Sequence, residues 1–458
     1  MTSSSVDGLV SGLSTSSLIN QLMQVEAAPQ DRLKAKVNTA QTAVSSYQSV
    51  NSRVSAFKSA ADSLGQLSTW RGIQATSTSS SVSAIAVSGS TNTAAGTTTF
   101  DVAALAKSQI TTAKVDTSQP ITSADSITVT IGPADADGVD NSAKRKDYVI
   151  DVSKDKTAKG VMDAINAKGI GVKATVVTTG GAQNILQLSG TKTGVDNAFS
   201  LSGFDPATTN VASAQNALLT IGGGEEAGGY NVTSSTNTFT GLLTGVSVTV
   251  SKEEKNVTVA ATQDIGGIAD KFQALVDAAN ATLDEIRGQT AYNPSTNKGS
   301  PLTGDFSVRN MAQSILSVIS KGLTYADPES TKDNPLPDIK FGSLAKLGMQ
   351  LDQTGRLTFD REKFTASYNA DPAAIQQASV AFADQTEKLA TTQTTNLTSV
   401  ITGRKDEIDG YNTQINDWDV RLAAKRVAIQ KTYSDLEVSL GKLKNQSNWL
   451  SGQLAGLG

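Results

Sequence analysis

An α+β multidomain protein is expected from this chain, with long coiled-coil helices at its termini and a helical leg domain, together enclosing two nested β-rich head domains. Three observations lead there. Apolar residues step by three and four near both ends. The length of 458 residues exceeds one ordinary core. The middle alternates small polar and β-branched residues at strand period.

The first segment, Ser3 to Asp31, carries the turn pairs Asp7-Gly8 and Ser11-Gly12, then a short amphipathic run. Leu18, Ile19, Leu22, Met23 and Val25 form its apolar side, with Ser14, Thr15 or Ser16 as N-cap. Pro29 forces a break or a fresh start, since it has no N–H to donate. A heptad-like helix then runs to about Leu67, its seam made by Leu33, Val37, Ala40, Val44, Tyr47, Val50, Val54, Phe57, Ala61 and Leu64. Gly65 is expected to end it in a left-handed cap.

Strands follow at Thr76–Ser90, Thr97–Val102, Gln109–Val115, Ile127–Ile131 and Tyr148–Val152. A helix is expected over Thr157–Lys168, with Ala158, Val161, Met162 and Ile165 on one face and Gly169 as its stop. Val172–Val177 and Ile185–Leu188 are strands, with a turn at Thr179–Ala182 between them. A second β block comprises Ala217–Ile221, Tyr230–Thr233, Thr238–Thr240, Val246–Val250 and Val257–Ala260. Lys252–Lys255 is expected to turn the last two into a hairpin.

Helix returns at Asp264 and is expected to stop near Gly288; another spans Ser307–Leu323, followed by a loop over Tyr325–Pro337. Leu347–Phe359 forms a hairpin turning at Thr354-Gly355, and helices from Pro372 lead into the final long one. From Ile408 the stripe runs through Tyr411, Ile415, Trp418 and Leu422. It passes Lys425 and Ile429, then resumes at Tyr433, Leu436, Leu440, Leu443, Ser447, Leu450, Leu454 and Leu457. One face thus meets a neighbour for about 75 Å at roughly 1.5 Å per residue. The seam suits a helical hairpin within the chain and packing between chains alike.

This symmetric order suggests nested insertion. The expected divisions are residues 1–40 with 425–458 as terminal coiled coil, and 41–75 with 264–424 as helical leg. Residues 76–98 with 213–263 form a β-rich domain, and 99–212 an α+β head domain.

Composition narrows the function. Net charge is -4 and pI about 5.2, without the Lys/Arg clusters that nucleic acid or anionic lipid requires. No apolar stretch approaches the eighteen or so residues of a spanning helix, and the start lacks the pattern of a Sec-type signal. Cysteine and histidine are both absent, which removes thiol nucleophiles, disulfides, Cys/His zinc sites and histidine general bases. That absence suits a reducing compartment, or a protein leaving the cell unfolded through a narrow conduit. Asp135, Asp137 and Asp140 beside Gly138 lack the Gly and Glu spacing of an EF-hand and read as a solvated turn. Gly222–Gly224 and Gly228-Gly229 lack the Lys-Ser/Thr of a phosphate loop and read as a hairpin loop. Trp70, Trp418 and Trp449 read as packing residues. No catalytic, cofactor or metal residues are expected.

The N-terminal run Asp7-Gly8-Leu9-Val10-Ser11-Gly12-Leu13-Ser14-Thr15-Ser16, with Gln21-Leu22, Glu26, Pro29 and Leu33, resembles the opening of the flagellar hook-associated protein 2 (FliD) family, the bacterial filament caps. The likeness continues in family order at Leu186–Leu201, Val232–Val250, Pro301–Arg309, Leu347–Pro372 and Leu443–Leu454. Ser14 departs from it, where the family commonly carries an acidic residue.

The resemblance implies a structural cap without enzymatic activity or cofactor, secreted to the tip of the bacterial flagellum. It implies self-association into a ring, a pentamer or another stoichiometry, that promotes flagellin folding and incorporation and prevents its loss. Its implied partners are further copies of itself, flagellin, the hook–filament junction proteins, and the flagellar type III export apparatus with its chaperone, with no nucleic acid and no membrane insertion. Assembly is assigned to Asp7, Gly8, Leu9, Ser11, Gly12 and Leu13 of the opening motif. On the terminal helices it is assigned to Leu33, Val37, Val44, Leu436, Leu440, Leu443, Leu450 and Leu454. The alternative is a surface adhesin whose Ser/Thr-rich head binds host or surface ligands such as glycans; a carboxylate-based hydrolase has only the β content in its favour.

Overall fold

A computed structural model describes Gly12 and residues 14–87, 95–135, 140–180 and 183–455. The chain folds as two compact units, Met1–Gln66 with Gly266–Gly458, and Leu67–Ile265. The second is inserted, in sequence, into the first.

The helices in chain order are α1 (Thr15–Glu26), α2 (Ala28–Gly65), the single turn α3 (Leu67–Trp70), α4 (Ala158–Lys168), α5 (Ile265–Thr290), α6 (Phe306–Ser320), α7 (Arg361–Ala370) and α8 (Pro372–Ala455). The strands of the inserted unit begin with β1 (Ile73–Ser77), β2 (Val82–Ala86), β3 (Gly96–Ala104), β4 (Ile110–Val115), β5 (Ser126–Ile131) and β6 (Lys146–Asp151). Next come β7 (Val172–Val177), β8 (Asn184–Gly190), β9 (Phe199–Ser202), β10 (Thr208–Ala212) and β11 (Ala217–Ile221). The last are β12 (Tyr230–Ser234), β13 (Thr238–Phe239), β14 (Val246–Val250) and β15 (Glu254–Gln263). The architecture is α+β and multidomain.

In the helical unit Pro29 sits in the first turn of α2, where its missing N–H costs nothing. From Ala40 to Leu64 the expected seam is buried, with Val50, Ala61 and Leu64 fully enclosed. Burying Val44, Val50, Val54, Phe57 and Leu64 contributes about 1.5–3 kcal/mol each, roughly 10 kcal/mol together. α8 is one helix of 84 residues rather than the several expected, about 126 Å long at 1.5 Å per residue. Short hairpins, Met349–Leu351 with Leu357–Phe359 among them, decorate α5–α8. Asn280 on α5 pins that hairpin by donating to the Leu357 carbonyl and accepting from its N–H, both at 2.9 Å. Phe272, Phe359 and Phe364 close the junction, with ring centroids 4.8–5.9 Å apart.

The inserted unit holds two cores. One lies between the sheet β1-β15-β3-β11-β12 and the sheet β13-β14-β2, with Phe100, Val102, Leu219, Val246, Val248 and Val259 buried in it. The other is built by β10-β4-β8-β7, β6-β5-β9 and α4, with Ile127, Val129, Ile165, Leu186 and Leu188 buried. Pairing among these strands is antiparallel throughout. Thr157 caps α4 through the Gly160 N–H, and Gly169 ends it at φ 62°. Buried Gln109 joins the two sheets of this core: it donates to the Phe199 carbonyl at 2.6 Å and accepts from its N–H at 3.0 Å.

Several expectations are corrected. Gly65 is helical, with a Cβ at that position only 3.5 Å from Ala383, and α2 ends on extended Gln66. Lys252–Lys255 is no hairpin turn, because β14 and β15 belong to different sheets, each burying its own valines. Ser14 makes no side-chain cap hydrogen bond. The Tyr325–Pro337 loop is flanked by paired strands, Leu323–Tyr325 with Ile339–Gly342. The strands β9 and β10 and the helix α7 were unforeseen.

Candidate assembly surface

α2 packs along α8 more extensively than any other two elements of the fold. The contacts run antiparallel. Lys58 Nζ lies 3.2 Å from the Glu387 carboxylate, and Lys36 Nζ lies 5.5 Å from the Tyr411 ring centroid. Gln30 donates to Asp419 Oδ1 at 2.6 Å, Lys425 meets Glu26 at 3.3 Å, and Arg426 donates to Asn20 at 2.8 Å.

The chemistry of the pair changes along its length. Among the described residues of α8, Ala390, Leu397, Ile401 and Ile408 are buried, and no buried apolar side chain follows Ile408. The distal pair instead rests on Ile19 of α1, half-buried Leu33 and Val37 of α2, and polar contacts. Gln30, 3% exposed, carries the most of these, since its amide also donates to the Ile415 carbonyl at 3.2 Å. Exposed ion pairs such as Lys425–Glu26 contribute only about 0–1 kcal/mol each. The distal pair is therefore far more weakly held than the seam from Ala40 to Leu64.

Beyond it the apolar stripe of α8 faces solvent. Leu436, Leu443, Leu450 and Leu454 are 45%, 60%, 55% and 64% exposed, while Leu440 is half-buried. Leu436, Leu443 and Leu450 recur every seven residues, the spacing of a coiled-coil seam. Trp449 is also exposed, correcting its expected packing role; Trp70 is buried, and Trp418 is half-buried beneath the Arg421 guanidinium. Of the opening motif, Gly12 is described, at φ 69°. Asp7, Gly8, Leu9, Ser11 and Leu13 lie outside the described residues. Val44 belongs to the buried seam rather than to the exposed surface.

A polar knot ties the proximal pair to the leg. The Tyr47 hydroxyl donates to the Asp305 carboxylate, whose other oxygen caps α6 through the Val308 N–H at 3.1 Å. Burial, and then the hydrogen bond to Asp305, push the Tyr47 hydroxyl up to about 12. On α8, Tyr411 donates to Glu407 at 2.7 Å and Arg404 pairs with it at 2.7 Å. Those two hydrogen bonds hold the Glu407 carboxyl below its usual range. Reading the stripe by hydropathy hid this knot, because Tyr47 counts there as an apolar position. Gln30 gave no periodic signal at all.

Asp135 is engaged by Arg145 at 2.6 Å, and Asp140 accepts from the Ser142 N–H at 2.8 Å; Asp137 and Gly138 lie outside the described residues. Gly222–Gly229 joins β11 to β12 as a hairpin loop.

Two family profiles match the chain: flagellar hook-associated protein 2 C-terminus over residues 214–450, and flagellar hook-associated protein 2 N-terminus over residues 11–109. Flagellar hook-associated protein 2 of Escherichia coli K12 is 25% identical over 99% of this chain and 98% of its own length. The A-type flagellar hook-associated protein 2 of Pseudomonas aeruginosa is 23% identical over the same shares. Among solved structures, the D1-D2-D3 domains of the flagellar cap protein FliD from Escherichia coli align at a TM-score of 0.54 and 24% identity. That alignment covers 80% of this chain and 99% of the other.

Proposed function

This chain belongs to the flagellar hook-associated protein 2 family, and we propose from that premise that it caps the distal end of a bacterial flagellar filament as a structural, non-enzymatic protein. The observation that supports this most directly is the solvent-facing stripe Leu436, Leu443, Leu450 and Leu454 on α8. An apolar stripe at coiled-coil spacing on a weakly held helix pair stabilises little until a neighbour covers it. That neighbour is an axial helix of the filament tip or of another copy. Copies assemble as a ring, and flagellin delivered from the cell folds and is incorporated beneath it. The junction proteins and an export chaperone are its remaining partners, and its place is outside the cell. The adhesin alternative gains no support from the relatives.

The assembly residues are proposed as Asp7, Gly8, Leu9, Ser11, Gly12 and Leu13, with Leu33, Val37, Leu436, Leu440, Leu443, Leu450 and Leu454; Val44 acts by holding the pair together. Four divisions are proposed, with the leg taken to end at Gln66 rather than at residue 75, because Ile73 of β1 packs in the outer β core, as do Phe100 and Val102. The inner head is therefore taken to begin after Ala106. A chain lacking residues 1–40 and 425–458 should remain folded and soluble yet leave filament ends bare in electron micrographs, where the full chain decorates them. Decoration of ends by the truncated chain would overturn the role given to the terminal helices.

A further inference from the structure

Two exposed apolar lines on the distal helices take no part in the packing of α1 against α8. On α1, Leu18, Leu22 and Val25 are exposed at i, i+4 and i+7, and so share one face. Each stands one residue, about 100° round the helix, from the line Ile19, Met23 and Glu26. Of that line Ile19 is buried and Glu26 meets Lys425 of α8. On α8, Val420 and Val427 are exposed two residues, or about 200°, from half-buried Leu422 and Ile429. Leu436, Leu443 and Leu450 continue the Leu422 face in steps of seven. The two valines therefore lie opposite both the contact with α1 and the leucine stripe.

The two lines match in height. Asn20 accepts from Arg426 and Glu26 meets Lys425, which sets Leu18–Val25 level with Val420–Val427. They also differ in sign. Residues 15–31 carry Glu26 and Asp31 and no basic residue, whereas 420–431 carries Arg421, Lys425, Arg426 and Lys431 and no acidic one. Pairing either line with its own copy would bring like charges together, while pairing one with the other brings opposite charges together. A second copy rotated about a common axis keeps its height, so the α1 line of one copy reaches the α8 line of the next with no shift along the helix. Such a contact joins two different patches and closes into a ring when the rotation does.

We infer that Leu18, Leu22 and Val25 of one copy seat against Val420 and Val427 of the next, as a lateral contact between the distal helices of neighbouring copies. The inference rests on the ring proposed above, and it leaves the Leu436–Leu450 stripe to the filament tip.

The chain has no cysteine, so a single one can be introduced at each exposed line. Full-length Leu22→Cys and Val427→Cys chains are mixed in equal amounts, assembled on flagellin filament seeds and oxidised. Facing residues within about 7 Å between Cα atoms can form the bond, so the mixture should yield about tenfold or more disulfide-linked dimer than either variant alone. Ring-sized particles or occupied ends that give no mixed dimer overturn the contact. As much dimer from either variant by itself overturns it too. So does a benzophenone carried by the Val427→Cys chain that captures flagellin, rather than residues 15–27 of another copy, at occupied ends. A chain that sediments as a monomer and leaves every end bare instead overturns the ring itself.

Discussion

At Tyr47 a single hydroxyl joins two elements: it bonds the carboxylate that caps α6 while its ring lies in the α2 seam. Tyr47→Phe keeps the ring and removes the bond, leaving Asp305 short of a donor. A cost of about 1–3 kcal/mol is expected, read as a lowered denaturant midpoint of the helical unit. The raised pKa fixes the sign of a pH effect. The protonated hydroxyl is the form favoured in the fold, so its contribution is complete below the ordinary value of 10.0 and is lost as pH rises through about 12. Wild-type stability should therefore fall toward that of Tyr47→Phe between pH 10 and 12, as paired titrations followed by circular dichroism would show. At the same scale, Phe57→Ala should cost about 3–5 kcal/mol, because Phe57 is 3% exposed and its removal opens a cavity. Gln30→Ala should act locally instead. It strips a buried donor from Ile415 and Asp419, and hydrogen exchange in 15–30 and 412–430 should quicken about tenfold while the leg keeps its melting temperature.

Among the elements, those whose pattern is local were legible in the sequence. The α2 seam, α4 with its Gly169 stop, β7, β14 and the turn at Gly355 need only periodicity and a glycine at positive φ. What escaped was non-local. Gly65 does close α2, but as a helical residue rather than the left-handed cap expected, the chain leaving through extended Gln66. Lys252–Lys255 reads as a turn until β14 and β15 are found to bury their valines in opposing sheets. β10 escaped because its residues Thr208–Asn210 are exposed and polar, held mainly by pairing with β4. The candidate surface was legible as a stripe, whereas its division into buried and exposed lengths was not. Val44 and Leu443 look alike in the sequence, and only what lies opposite separates them. That difference is measurable on the elements themselves: Leu443→Ser with Leu450→Ser should change stability by less than about 0.5 kcal/mol each, since both are exposed. The same pair should abolish decoration of filament ends.

For the whole molecule, the partner of Gln30 lies 385 residues further along the chain. Contacts of such separation are slow to form: closing a loop of that length costs about 5 kcal/mol of chain entropy before any contact rewards it. The inserted sheets pair within shorter intervals and can complete themselves earlier. A polypeptide presented amino end first, from a ribosome or a pore, would hold a finished head while α2 still waited for α8. Its own topology thus delays the locking of its base until the facing stretch of α8 has emerged.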